Sequence, residues 1–103
     1  MQTSELRTPE VENLLTALAA ITDKDTMYAL LEDMFTIREI RESSQRLSVA
    51  GMLADGKSYA KIAAATGASA TTIARVSKCL SYGSGGYRAA LAVLNELDSE
   101  SDA

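Results

Sequence analysis

Lys57, Lys61, Ser69, Ala70, Thr71, Thr72, Arg75 and Lys78 lie close together in the chain and share one kind of chemistry. The lysines and the arginine can neutralise phosphates, which adds affinity with little discrimination between sequences. Arginine also reads a guanine edge, and threonine can offer a base its hydroxyl or its methyl group. Ser69 stands where a helix would begin, so its hydroxyl can cap that helix and meet a phosphate drawn to the helix terminus. Residues 56–95 hold five basic residues, Arg88 included, and no acid. Residues 1–55 hold five basic residues against ten acidic ones, and residues 96–103 add four acids, so the net charge of the whole chain is −4. Salt screens charges beyond about 8–10 Å, so the local balance decides which surface meets a polyanion. The predicted partner is double-stranded DNA, despite the acidic total.

The spacing around these residues predicts a helix-turn-helix over residues 58–81. Ala63 is the small residue where two helices cross, Gly67 ends the first in a tight turn, and Ile62, Ile73 and Val76 lock the pair. Ser58 is predicted to cap a helix of about 59–66, and Ser69 or Ala68 to open a second of about 70–81, the rod that would enter a major groove. Upstream, Thr8 and Pro9 begin a helix whose apolar face is Val11, Leu14, Leu15, Leu18 and Ile21. Thr22 with Asp25, and Thr36 with Glu39, have the spacing of capping boxes for two further helices. One carries Met27, Leu30, Leu31 and Met34. The other carries Ile37, Ile40, Leu47, Ala50 and Leu53 and closes at Gly56. A final helix of about 87–97 presents Tyr87, Leu91, Leu94 and Leu97, ahead of an acidic tail, 98–103. Residues 1–8 are expected to fray, and the glycine-rich run from Tyr82 to Gly86 to act as a flexible hinge. The fold class is all-α, six helices in a single domain, 1–103. Helices this apolar and this short exceed the interior of one small subunit, so residues 9–55 are expected to bury surface against a second copy.

Other classes are weakly supported. The chain has no histidine, no metal-ligand cluster and no nucleophile beside a base, so neither catalytic nor metal residues are predicted. The glycines at 83–86 lack the lysine and the strand of a phosphate-binding loop. No apolar run approaches the roughly 18–20 residues of a membrane span, and no secretory signal is visible. The single cysteine, Cys79, fits a reducing, cytoplasmic setting. It reads as a small buried hydrophobe, with a redox switch beside Arg75 and Lys78 as the alternative. Tyr59 reads as a packing residue, and Met27, Met34 and Met52 as core filler.

The stretch SQRLSVAGMLADGKSYAKIAAATGASATTIARVSKCLSYGSGGYRAAL resembles the Trp-repressor-like family, in particular its YerC/YecD branch. Gln45-Arg46-Leu47, Tyr59 with Ile62, Thr66-Gly67-Ala68-Ser69, Thr72-Ile73-Ala74-Arg75-Val76 and Cys79-Leu80 before Tyr82-Gly83 carry the likeness, with Phe35-Thr36-Ile37-Arg38-Glu39 upstream. It covers residues 25–95. The resemblance implies an intertwined homodimer in which each chain offers one DNA-reading head. It also implies an effector pocket at Arg46, Arg75, Val76 and Cys79, since both arginines align with those that hold the repressor's tryptophan. Valine at 76 replaces the glycine that leaves room for the indole, and cysteine at 79 replaces a serine that holds the amino group. No cofactor is therefore expected, tryptophan included; a different small-molecule effector stays open.

Together these observations predict a sequence-specific regulator of transcription, read as a repressor, that binds a palindromic site through helix 69–81. Two alternatives are a protein-interaction module built on the same motif and a nucleoid-type DNA binder of weak sequence preference.

Overall fold

The computed structural model describes residues 4–102, and the side chains of residues 5–99. Among them there are six α-helices, a short 3-10 turn at Ser4–Leu6, and no strand: α1 (Pro9–Ala20), α2 (Lys24–Met34), α3 (Ile37–Ala54), α4 (Tyr59–Thr66), α5 (Ala70–Tyr82) and α6 (Gly86–Asp102). The chain packs as two compact units, and the division falls inside α3, between Glu42 and Ser43.

Local chemistry sets the helix ends of the N-terminal unit. Thr8 caps α1 by accepting from the Val11 amide at 3.3 Å, and Arg7 pairs with Glu12 at 2.6 Å. The cap of α2 is Asp23, one residue beyond the expected Thr22. Its carboxylate accepts from both the amide and the hydroxyl of Thr26, at 2.8 and 2.6 Å, and an ionised acceptor is the stronger cap. Thr36 and Glu39 form the expected reciprocal box before α3: each accepts from the other's amide, at 3.1 and 2.9 Å. These bonds favour the charged carboxylates, so their pKa values lie below the ordinary range. For Asp23 the main cause is the Thr26 hydroxyl, for Glu39 the Thr36 amide, and for Glu12 the Arg7 side chain.

The predicted apolar faces of α1 and α2 exist but are not enclosed. Neither helix contains a fully buried residue. Val11, Leu14, Leu18, Met27, Leu30 and Leu31 are half-buried, whereas Leu15, Met34, Phe35 and Ile37 are exposed. Met34 is thus not core filler within this chain.

The core belongs to the other unit. Val49 and Ala50 of α3, Ile62 of α4, Ala68 of the turn, and Ile73 and Val76 of α5 are buried, with Met52, Leu53, Ala63, Leu80, Tyr87 and Leu91 packed around them. The chain leaves α3 through Gly56. The amides of Gly56 and Lys57 donate back to Leu53 and Met52 at 3.0 Å, which closes the helix as a Schellman motif. The region expected to be a hinge is a bonded three-residue turn. The Gly83 amide donates to the Cys79 carbonyl at 2.8 Å, Arg88 Nε donates to the Leu80 carbonyl at 3.0 Å, and the Ala89 amide donates to the Gly85 carbonyl at 3.1 Å. A Cβ at Gly83 would lie 2.4 Å from the Cys79 carbonyl oxygen, so only glycine fits. Helix α6 begins at Gly86 and runs to Asp102, because nothing in the serine- and acid-rich tail breaks it. Most of the expected tail, 98–103, is therefore helix; Ala103 lies outside the described residues. Tyr87 and Leu91 of α6 are half-buried, while Val93, Leu94 and Leu97 are exposed.

Candidate nucleic-acid interface

Helices α4 and α5 form the predicted motif. Ser58 opens α4 by accepting from the Lys61 amide at 3.2 Å. Gly67 closes it at φ 73°, a left-handed conformation that disfavours any side chain, with its amide on the Ala63 carbonyl at 2.9 Å. Thr66 buttresses the turn, donating to the Ile62 carbonyl at 2.7 Å and accepting from the Ala68 amide at 3.2 Å. Ile62 and Ile73 are fully buried and Val76 is 1% exposed, so the pair is locked at the three predicted positions.

With that face inward, helical periodicity turns a fixed set of residues outward. Ala70, Thr71, Ala74, Arg75, Lys78 and Tyr82 are exposed and recur at steps of three and four, which places them along one side of α5. Ser69 and Thr72 behave differently. Ser69 Oγ accepts from the Thr72 amide and donates to Thr72 Oγ1, both at 3.1 Å, and Thr72 is half-buried. Thr72 thus helps fix the start of the helix and lies off the outward stripe that the sequence assigned to it. Lys57, just before the motif, and Lys61, within α4, are exposed. Neither they nor Arg75 and Lys78 form an ion pair among the described residues. Helices α1, α2 and α3 carry acids in their first turns, whereas α4, α5 and α6 carry none. The first turns of the two motif helices thus hold no carboxylate of their own to offset their positive ends.

The proposed effector residues do not form one pocket in this chain. A cleft of about 550 Å³ is lined by Ser43, Arg46 and Leu47 of α3, by Cys79, by the turn Gly83–Gly86, and by Tyr87 and Ala90 of α6. Arg46 is half-buried there and donates to Ser43 Oγ at 3.3 Å. Cys79 is exposed, which corrects its reading as a buried hydrophobe. It sits near the end of α5 facing the cleft, where no core residue covers it. Arg75 does not line the cleft, and the Val76 side chain is inside the core.

The Trp repressor protein family model matches residues 9–95. The chain belongs to the Trp repressor family. That is a family of DNA-binding regulators. Across 101 residues the chain is 42% identical to YerC of Bacillus subtilis (strain 168), an uncharacterised protein, covering 98% of this chain and 97% of YerC. Its fold matches that of a candidate Trp repressor from Staphylococcus aureus with a TM-score of 0.86 at 36% identity, over 92% of this chain and 95% of that one. A TrpR-like protein from Eubacterium eligens ATCC 27750 matches with a TM-score of 0.85 at 42% identity, over 90% and 96% of the two chains. No helix among the described residues is long and apolar enough to cross a membrane.

Two residues of the site escaped sequence reasoning. Tyr82 is 83% exposed and extends the outward stripe of α5 beyond Lys78. The sequence places it at the edge of a glycine-rich run, yet its step of four from Lys78 marks the same face. Gln45 donates from Nε2 to the Thr66 carbonyl at 3.0 Å, joining α3 to the turn of the motif. Its signal was a polar residue four positions before the apolar Val49, where burial demands a partner.

Proposed function

We propose that this protein is a homodimeric transcriptional regulator, acting as a repressor, whose helix α5 enters the major groove of a two-fold-related DNA site. The observation that carries the reading is the outward face of α5: Thr71, Arg75 and Lys78 stand in line on a helix whose first turn lacks acid, with Lys57 and Lys61 alongside. Thr71 and Arg75 read base edges, Ala70 and Ala74 let the helix approach closely, and the lysines hold phosphates. Tyr82 offers its hydroxyl to a phosphate at the far end of the stripe. Ser69 acts chiefly as the cap. The exposed apolar residues of α1, α2 and α6 supply the surface that a second copy covers, and two heads about 34 Å apart match successive major grooves. An effector other than tryptophan has its place in the cleft beside Arg46 and Cys79.

The alanine-rich character of the outward face favours a second reading. Ala70 and Ala74 there present methyl groups alone, and with Lys78 and Tyr82 given to phosphates Thr71 and Arg75 are left to bond base edges, so a nucleoid-type binder of weak preference is the closest rival. Selection of bound duplexes from a random pool, followed by titration of the winner and of random DNA over a range of salt, separates the readings. A regulator enriches one two-fold sequence and prefers it by roughly 10³-fold or more. A nucleoid-type binder shows the salt dependence without the enrichment. A protein-interaction module shows neither.

A further inference from the structure

We infer that Gln45 is a positioning residue for DNA reading: its amide ties α3 to the turn from which the reading helix starts. The inference rests on the DNA-binding function proposed above. Gln45 lies on α3 four residues before Val49, which is fully buried, and is itself half-buried. Its Nε2 donates to the Thr66 carbonyl at 3.0 Å, across 21 residues of sequence. Thr66 is the last residue of α4, and a carbonyl there has no amide partner within its own helix. Gln45 supplies that partner from a neighbouring helix. Beyond Thr66 come Gly67, the buried Ala68 and the cap Ser69, so three residues separate the anchored carbonyl from Ala70, the first of α5.

The bond positions the turn more than it holds the fold. Val49, Ala50, Ile62, Ile73 and Val76 form a buried apolar cluster that does not include Gln45. Water can replace the lost donor at a part-buried carbonyl, so the core survives its removal while the turn gains freedom relative to α3. Sequence-specific contacts depend on placing α5 within fractions of an ångström. Phosphate attraction tolerates much larger errors. Loss of Gln45 should therefore lower discrimination between DNA sequences ahead of affinity for DNA in general.

Gln45→Met keeps length and shape without the donor, and Gln45→Glu keeps the shape with an acceptor in its place. Gln45→Lys restores a donor that can reach the same carbonyl. The full chain is titrated with the duplex selected by wild-type protein and with random duplex, while circular dichroism follows folding. The expected result is that the Met variant keeps its helicity and its random-DNA affinity and salt slope. It binds the selected duplex roughly three- to tenfold more weakly, the worth of one modest hydrogen bond, whereas the added charge of the Glu variant weakens both duplexes. The Lys variant recovers part of that loss. Faster amide exchange at Gly67 and Ala68 in the Met variant is the second readout. Equal weakening of the Met variant on both duplexes, or no change on either, overturns the inference. Wild-type protein that binds no duplex overturns the DNA-binding reading itself, and this inference with it.

Discussion

Val76 separates two pictures of the same residue. The resemblance to the tryptophan repressor makes it a plug in a ligand slot, whereas the structure makes it part of the core. Its side chain is 1% exposed and clusters with Val49, Ile62 and Ile73. Val76→Ala removes two buried methyl groups, worth about 0.8 kcal/mol each by transfer, and the unfilled space raises the cost to about 2–3 kcal/mol. Val76→Gly removes one carbon more and places glycine within α5, for a total of about 3–4 kcal/mol. In a domain of this size each kcal/mol lowers Tm by about 4–8 °C, so the glycine variant should melt at least 12 °C, and up to about 30 °C, below wild type. Thermal denaturation followed by circular dichroism gives Tm, and calorimetry with added tryptophan gives affinity. The expected outcome is a graded loss from Val to Ala to Gly, with no tryptophan binding at micromolar concentration in any of the three. A glycine variant that melts within about 3 °C of wild type and acquires tryptophan binding would refute the core assignment and restore the plug.

Changing Lys61 to Ala should weaken selected and random duplexes alike and lower the salt slope by about one, as expected for one phosphate contact. Arg75→Ala, tested in effector-free protein, should cost about 1–3 kcal/mol on the selected duplex and far less on random DNA; equal losses on both would show that α5 does not read bases. Light scattering at micromolar concentration should give twice the 10.9 kDa chain mass, and a stable folded monomer would remove the homodimer. Glu12, Asp23 and Glu39 have lowered pKa values in the folded chain, so the folded state binds fewer protons than the unfolded state. Their stabilisation is complete above the ordinary carboxylate range and is lost as pH falls through the lowered values. Denaturant midpoints should therefore decline below about pH 5, and Asp23→Asn should flatten that decline.

The parts of the fold legible in the sequence were those fixed by neighbours in the chain. Ser58, Gly67 and Ser69 mark the motif because capping and left-handed turns act over three or four residues. Ile62, Ile73 and Val76 are buried because a helix of 3.6 residues per turn allows only one face for them. Thr22 misled for the same local reason: two adjacent residues could each cap α2, and the ionised hydrogen bonds of Asp23 decided between them. What the sequence could not reveal depends on distant contacts. Cys79 has the composition of a core residue, but its position on α5 faces the cleft. Met34 and Ile37 have the apolarity of core residues yet are exposed, because periodicity reports which side is apolar and says nothing of what covers it.

The same distinction explains how an acidic chain can carry a DNA-reading head. Carboxylates are useful where a helix must be started, and α1, α2 and α3 have them in their first turns. Hydroxyls cap four of the helices, Thr8 at α1, Thr36 at α3, Ser58 at α4 and Ser69 at α5, but at α4 and α5 they do so with no acid in the turn that follows. A carboxylate in place of either serine would cap about as well, but would set a negative charge at the proposed DNA interface. The choice of a neutral cap at these two helices therefore has no clear advantage for stability. It has one for binding a polyanion. Acid-free first turns at both motif helices thus join the lysines and Arg75 in leaving this surface open to a polyanion.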